Sequence, residues 1–204
     1  MIRNKKQLCE YLRADAAALG LEGKNPLTTI NLIWRYQIVL RKIEYYINSE
    51  KSKKIFFRPF YYLQRIQFEV LGILLGFTIP PNVFGPGLAI VHRGTIVVNG
   101  NARVGSHCRI HVCVNIGASG GNTEAPQIGD NVYIGPGVKV FGNIKIADNI
   151  TIGANAVVNK NFSHLMLPLQ VFLRVYLILN RLFLNRAEIP VLACIFHKNK
   201  QFIN

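Results

Sequence analysis

Three histidines and two cysteines crowd one short stretch of this chain: His92, His107, Cys108, His111 and Cys113. Imidazole titrates near pH 6.5, so a histidine held against a weakly acidic group can take its proton at neutral pH. The same five side chains are metal-ligand types, and imidazoles from neighbouring strands can hold zinc. A metal needs several ligands converging on one point. The question is therefore which elements carry these residues and where those elements point them.

From Val98 to Val158 the sequence repeats every six residues. The first position of each hexad reads Val98, Val104, Ile110, Ile116, Asn122, Ile128, Ile134, Val140, Ile146, Ile152 and Val158, and only Asn122 is polar. Four residues further on come small or β-branched side chains, among them Ala102, Cys108, Val114, Val132, Val138, Ile144, Ile150 and Ala156. A period of six fits neither the 3.6 of a helix nor the 2 of a strand with one exposed face, so each hexad is one short strand and a corner. Three faces close a triangular coil, and stacked coils pair each strand with the one above at ~4.8 Å. With eighteen residues per coil, Val98, Ile116 and Ile134 form one inward ladder and Ile110, Ile128 and Ile146 another. The hexad 122–127, N-T-E-A-P-Q, follows G-A-S-G-G (117–121) and has nothing to put in a core. It is expected to leave the coil as a loop, which solenoids place on a binding face.

This register sorts the candidate ligands. Extrapolated back from Val98, it puts His92 at a first position, facing inward. It sets His107 over Ala89 rather than His92, so three imidazoles do not converge and no catalytic metal is expected. His111 falls close to Arg93, beside His92. Cys108 takes a small inward position and reads as core.

The elements before the repeats are helical. Residues 5–20 place Leu8, Leu12, Ala16 and Leu19 on one face, with Gly20 and Gly23 as stops. A second helix is expected from about Thr29 to Asn48, with Trp34, Val39 and Tyr45, and a third over Tyr61–Leu75, ended by Gly76. Lys51–Lys54 is a solvated charge run. At F-T-I-P-P-N-V-F-G-P-G-L (77–88) turn chemistry takes over, which sets the domain limits at 1–76, 77–162 and 163–204. The net charge of +14 is spread over amphipathic helical sequence, not along a stripe with aromatic platforms, so nucleic acid is not an expected partner. Anionic partners such as a phosphorylated cofactor or a lipid surface suit the charge. Cys9, Cys108, Cys113 and Cys194 show no disulfide spacing and read as free cytosolic thiols. The polar N-terminus is not a secretory signal, and prolines 80, 81 and 86 break the uncharged run Val70–Val91 as a membrane span. A cytoplasmic location is expected.

The repeats, the segment A-I-V-H-R-G-T-I-V-V (89–98), the loop G-A-S-G-G-N-T-E-A-P-Q-I-G (117–129) and the end G-A-N-A-V-V-N-K (153–160) together resemble the left-handed β-helix acetyltransferases. The likeness is greatest to serine O-acetyltransferases and their sugar-acetylating relatives. It covers residues 77–162 strongly and the helices loosely. The resemblance implies a mainly β fold, a left-handed parallel β-helix of hexapeptide repeats after a helical N-terminal region. It implies a trimer or dimer of trimers with acetyl-CoA as co-substrate in grooves between β-helices, and a small hydroxyl acceptor, serine or a sugar. His92 stands where the family's general base falls. Pro136 and Ala154 would meet the cofactor through backbone groups, and Asn159 and Lys160 at the last corner. The family's base-orienting Asp is Thr78 here, and a His before the loop's final Pro is Ala125. Both changes weaken free serine as the acceptor, and His111 is the nearest compensating imidazole.

After Phe162 the register fails. Family members close the helix with a stretch like D-V-T-I-A-G-V-P-A-R-V, where this chain reads H-L-M-L-P-L-Q-V-F-L-R-V-Y. Codon degeneracy lets L-Q-V-F-L-R-V-Y (169–176) decode as A-G-V-P-A-R-V in the neighbouring frame. The expectation is a frame-shifted, atypical apolar tail that impairs activity. The rival is an amphipathic helix on a membrane surface, carrying Leu173, Leu177, Arg174, Arg181 and Arg186.

Overall fold

Among the described residues, inward aliphatics alternating with polar corners build twelve very short strands. The computed structural model describes residues 1–24, 31–49, 58–121 and 123–162; these lie in one compact unit, Met1–Pro168. Asn122, the Lys51–Lys54 run and the tail, with both readings of it, lie outside the described residues.

Three helices come first: α1 (Lys5–Ala18), α2 (Leu32–Asn48) and α3 (Arg58–Leu75). Asn4 caps α1 by accepting from the Gln7 amide, and Asn31 caps α2 by accepting from the Trp34 amide at 3.1 Å. That cap is why α2 starts at Leu32 rather than Thr29. The third helix is described from Arg58, three residues before the expected Tyr61, and Pro59 within it has no amide for a helical bond. Gly76, at φ 77°, stops it in a conformation that side chains resist. On α1 the predicted apolar face is only half-buried, and the fully enclosed residue is Asp15.

The strands are β1 (Phe77–Thr78), β2 (Ala89–Ile90), β3 (Ile96–Val98), β4 (Arg103–Val104), β5 (Arg109–Ile110), β6 (Val114–Gly117), β7 (Gln127–Ile128), β8 (Tyr133–Ile134), β9 (Lys139–Phe141), β10 (Lys145–Ile146), β11 (Thr151–Ile152) and β12 (Val157–Val158). They stack in parallel into three faces, ordered β1-β3-β6-β9-β12, β4-β7-β10 and β2-β5-β8-β11. Every described first-position aliphatic from Val98 to Val158 is buried, as are Ala102, Cys108, Val114, Val132, Val138, Ile144, Ile150 and Ala156. The period of six therefore identifies the inward side chains of a β-helix.

The register departs from a uniform eighteen at two places. The chain leaves the coil after Gly117 and is back in it at Ala125, which is buried in the core, and Pro126, whose carbonyl accepts from the Arg103 amide, so the expected loop 122–127 ends earlier than its hexad. The spacing across it is twenty-four, Ile116 pairing with Val140 and Ile110 with Ile134. The ladders are thus Val98–Ile116–Val140–Val158, Ile90–Ile110–Ile134–Ile152 and Val104–Ile128–Ile146, not the two expected from an unbroken register. An insertion adds residues at a corner without breaking the pairing beyond it. In the first coil the spacing is twenty, Phe84 pairing with Val104 and Ile90 with Ile110, and it becomes eighteen where Ile96 pairs with Val114, so the two extra residues lie in the corner 91–95 that carries His92.

A buried ionic cluster ties the helices to this first coil. Arg41 of α2 is fully enclosed and donates through Nε and Nη2 to Asp15 of α1 at 2.8 and 3.2 Å. It also donates to Glu44 at 3.0 Å and to the carbonyls of Phe84 and Gly85 at 2.8 and 2.6 Å. Asp15 in turn accepts from the amides of Gly87 and Leu88, and Gln37 donates to the Leu88 carbonyl at 2.7 Å. Burial acts to lower the Arg41 pKa, but the carboxylates of Glu44 and Asp15 outweigh it and hold the guanidinium charged. The segment running into β2 is therefore clamped from both helices.

Removing the cation leaves two carboxylates buried without their partner. Arg41→Leu should lower stability by about 3–5 kcal/mol, read from the urea midpoint; a loss under about 1 kcal/mol, the scale of an exposed pair, would contradict the role of the cluster. Burial pushes the Cys108 thiol up to about 12, whereas Cys9 and Cys113 are exposed. Native alkylation followed by peptide mapping should label Cys9 and Cys113 and spare Cys108 until denaturant is added.

Candidate active site

Three edges run along the β-helix where its faces meet. One edge joins the four-stranded face to the five-stranded face, and it carries the corners after β2, β5, β8 and β11. His92, His111, Pro136 and Ala154 all lie on it. Asn159 and Lys160 lie on the next edge, beyond β12, where the loop between Gly117 and Ala125 also emerges after β6. The six predicted site residues thus flank the five-stranded face from both sides. Pro136, Ala154, Asn159 and Lys160 are exposed, and the Pro136 carbonyl accepts from the Asn155 amide at 2.8 Å. The backbone amide of Ala154 and the ammonium of Lys160 are groups of the kind that fit amide and phosphate parts of an acetyl-CoA.

His92 is exposed, not interior. The inward reading fails because the two extra residues of the first coil shift its corner out of the extrapolated register. The same shift aligns His111 with Val91 rather than Arg93, and brings its ring to 5.9 Å from that of His92, centroid to centroid. The Tyr133 ring also lies against His111, 5.1 Å between centroids and tilted by 54°. The His111 Nε2 is shut away from solvent without a hydrogen-bond partner. Burial, with Arg109 and His92 as nearby like charges, lowers the His111 pKa below the usual imidazole value. Its ring is therefore neutral at neutral pH.

The helices complete the surroundings of His92. The first turn of α2, Asn31, Leu32 and Ile33, faces Val91, His92 and Arg93 across an open recess of about 510 Å³. The Asp15–Arg41 cluster and Gln37 hold residues 84–88, four to eight positions before His92 in the chain. Sequence reading missed Asp15, Gln37 and Arg41, as it missed Tyr133 and Arg109. A twenty-four-residue step across the loop would have set Tyr133 over Arg109, next to His111.

The other candidates go elsewhere. His107 sits on a different edge, between β4 and β5, against Gly87 rather than over Ala89. It has φ 57° and stacks in line with Asn131 and Asn149, which share that left-handed conformation. Cys113, at φ 60°, is likewise a corner residue in line with Gly137 and Asn155. Histidine and asparagine are among the side chains that tolerate this region. Among the described residues no group of three or more His, Cys, Asp or Glu is arranged to hold a metal. Thr78 faces outward on β1, and Ala125 is buried in the core, its carbonyl accepting from Gln127. The loop is pinned at Thr123, whose carbonyl accepts from Asn101, and at Glu124, which accepts from Asn143. No described helix is long and apolar enough to cross a membrane.

Comparison with known proteins gives this geometry a context. A family model described as bacterial transferase hexapeptide, six repeats, matches residues 125–160. The serine acetyltransferase of Mycobacterium tuberculosis is 43% identical over 101 residues, covering 48% of this chain and 44% of that protein. The chain thus spans about half the length of the curated relative it matches. Among solved structures, serine acetyltransferase from Neisseria gonorrhoeae superposes with a TM-score of 0.57 at 24% identity, over 78% of this chain and 62% of that one. A serine acetyltransferase in complex with CoA gives a TM-score of 0.60 at 20% identity, over 78% and 66%. Isoform 3 from Entamoeba histolytica, in complex with cysteine, gives 0.55 at 25% identity, over 82% and 64%. The chain is a left-handed β-helix preceded by helices, in which residues 125–160 match the bacterial transferase hexapeptide model, and it is similar to serine acetyltransferases.

Proposed function

We propose that this chain is an acetyl-CoA-dependent O-acetyltransferase with His92 as general base. The observation that carries the reading is His92 itself: an exposed imidazole beside a neutral second imidazole, on the edge that also bears Pro136 and Ala154. The similarity to a serine acetyltransferase over 101 residues, and to one solved with CoA, supports the reaction class. An alcohol is too weak an acid to attack a thioester unaided. His92 takes the hydroxyl proton as the acceptor oxygen bonds to the thioester carbonyl carbon. Backbone amides hold the oxyanion while it exists. The carbon–sulfur bond then breaks, and the imidazolium returns its proton to the departing CoA thiolate. No covalent enzyme intermediate is needed.

The co-substrate groove would run along the five-stranded face, with Pro136, Ala154, Asn159 and Lys160 at its margins, completed by a neighbouring copy in a trimer. The acceptor is a small hydroxyl compound, serine or a sugar. Thr78 and Ala125 offer no carboxylate and no imidazole to it, and this favours a sugar over a free amino acid. A second reading follows from the same two residues, with the atypical tail: a β-helix scaffold whose catalysis is impaired. Calorimetry with CoA separates the two, since a scaffold shows no heat at millimolar ligand and the enzyme binds.

Thiol release from acetyl-CoA, assayed with serine and with sugar acceptors, should fall by about a hundredfold to ten-thousandfold in His92→Ala while the assembly mass stays the same. Turnover equal to wild type would remove His92 from the base role. The lowered His111 pKa also has a stability consequence. Between the folded and the ordinary imidazole values the unfolded chain binds more protons, so this contribution is complete above the ordinary value and is lost as pH falls through the window. Urea midpoints measured down that range should drop less steeply in His111→Asn than in wild type. Parallel slopes would contradict the assignment.

A further inference from the structure

The recess in front of His92 holds a second charged group that proton transfer does not use. Arg93 lines it beside His92 and Val91, opposite Asn31, Leu32 and Ile33. The Arg93 side chain is exposed and has no hydrogen-bond or ion-pair partner among the described residues. Its position is nevertheless built. The corner 91–95 has two residues more than the corner 111–113 of the next coil, since Ile90 and Ile96 pair with Ile110 and Val114. Both ends of the enlarged corner are pinned: the Val91 amide donates to the Ile110 carbonyl at 3.1 Å, and the Gly94 amide to the Leu75 carbonyl at 3.0 Å. His92 and Arg93 are the two residues between those bonds, so the extra length of the corner sets both at the mouth of one recess.

A guanidinium offers a planar fork that matches a carboxylate or a phosphate with two parallel hydrogen bonds. Among the described residues no Asp or Glu lines the recess, and Arg109 adds a further positive charge beside His111. An ammonium group would meet cations there and no counter-charge, whereas an anion would meet a partner. We infer that the acceptor carries a carboxylate or a phosphate close to its reacting hydroxyl, and that Arg93 is the residue that selects it. Consecutive Cα atoms lie about 3.8 Å apart, so one monosaccharide can present its hydroxyl to His92 and its anionic group to Arg93. The recess, about 510 Å³, has the size of a small-molecule site. Serine fits poorly because its ammonium finds no partner, and a neutral sugar leaves the guanidinium to water. The identity of the reacting hydroxyl rests on the acetyl-transfer reading; the anion site does not.

The test measures kcat/KM for thiol release from acetyl-CoA with D-glucuronate, D-glucose 6-phosphate, D-glucose and L-serine. At least one of the two anionic sugars should exceed glucose and serine by about tenfold, and which of them does so tells carboxylate from phosphate. Arg93→Gln should erase that advantage through the KM of the acceptor, and Arg93→Lys, which keeps the charge without the fork, should restore part of it. Both variants should keep the circular dichroism and assembly mass of wild type, because Arg93 is exposed. Saturation-transfer NMR without acetyl-CoA separates the two possible failures. If no compound supports thiol release, yet glucuronate or glucose 6-phosphate binds wild type and not Arg93→Gln, the acetyl-transfer reading falls and the anion site stands. Equal kcat/KM for glucose and both anionic sugars would overturn the inference, as would an advantage that survives in Arg93→Gln. A rise in the KM of acetyl-CoA in place of that of the acceptor, or no binding of either anionic sugar, would overturn it too.

Discussion

Among the described residues no strand of this β-helix exceeds four residues, so no coil can hold itself together. The structure depends on stacking: each backbone group of a strand pairs with the coil above or below, and each inward aliphatic rests on its counterpart one coil away. The ladder Ile90–Ile110–Ile134–Ile152 is the clearest case. That constraint leaves the outward positions and the corners free to vary. It also fixes the corners in straight lines along the molecule, and this is how residues as distant in sequence as His92 and Ala154 come to share one edge.

A stack that grows by repetition still needs a defined beginning. The helices supply it through Arg41, whose guanidinium joins Asp15, Glu44 and two carbonyls of the first coil. Burying three ionised groups is costly unless each finds partners, and here each does. The cluster fixes the path of residues 84–88 and with it the start of β2, so the corner bearing His92 follows from a clamped segment and not from a free loop. The loop between Gly117 and Ala125 works in the opposite way: it leaves the coil without disturbing the ladders on either side, and Asn101 and Asn143 hold it in place.

The inward set is legible from the period alone, because a buried aliphatic at every sixth position suits a coil of short strands and little else. Among the described residues the helix positions are legible to within three residues, the error in α2 arising at Asn31, whose side chain caps the helix. The exact neighbours are not. An insertion of six residues at the loop and of two in the first coil change which residues meet, and no periodicity within a single coil reveals how many residues a corner has absorbed. That is why an unbroken register sets His111 by Arg93 when its ring faces His92, and turns His92 inward when it is exposed. Asp15 and Arg41 look in sequence like solvated helix charges, and only the packing of α1 and α2 against the first coil turns them into a buried pair.

The central claim is that an imidazole on this edge removes the acceptor proton. It is tested most directly by the pH dependence of kcat/KM for CoA release with saturating acceptor. The profile expected of such a base has an acid limb governed by one proton and centred in the imidazole range, with a plateau above it. A rate that is flat through that range, or that rises only where thiols and ammonium groups titrate, would contradict it.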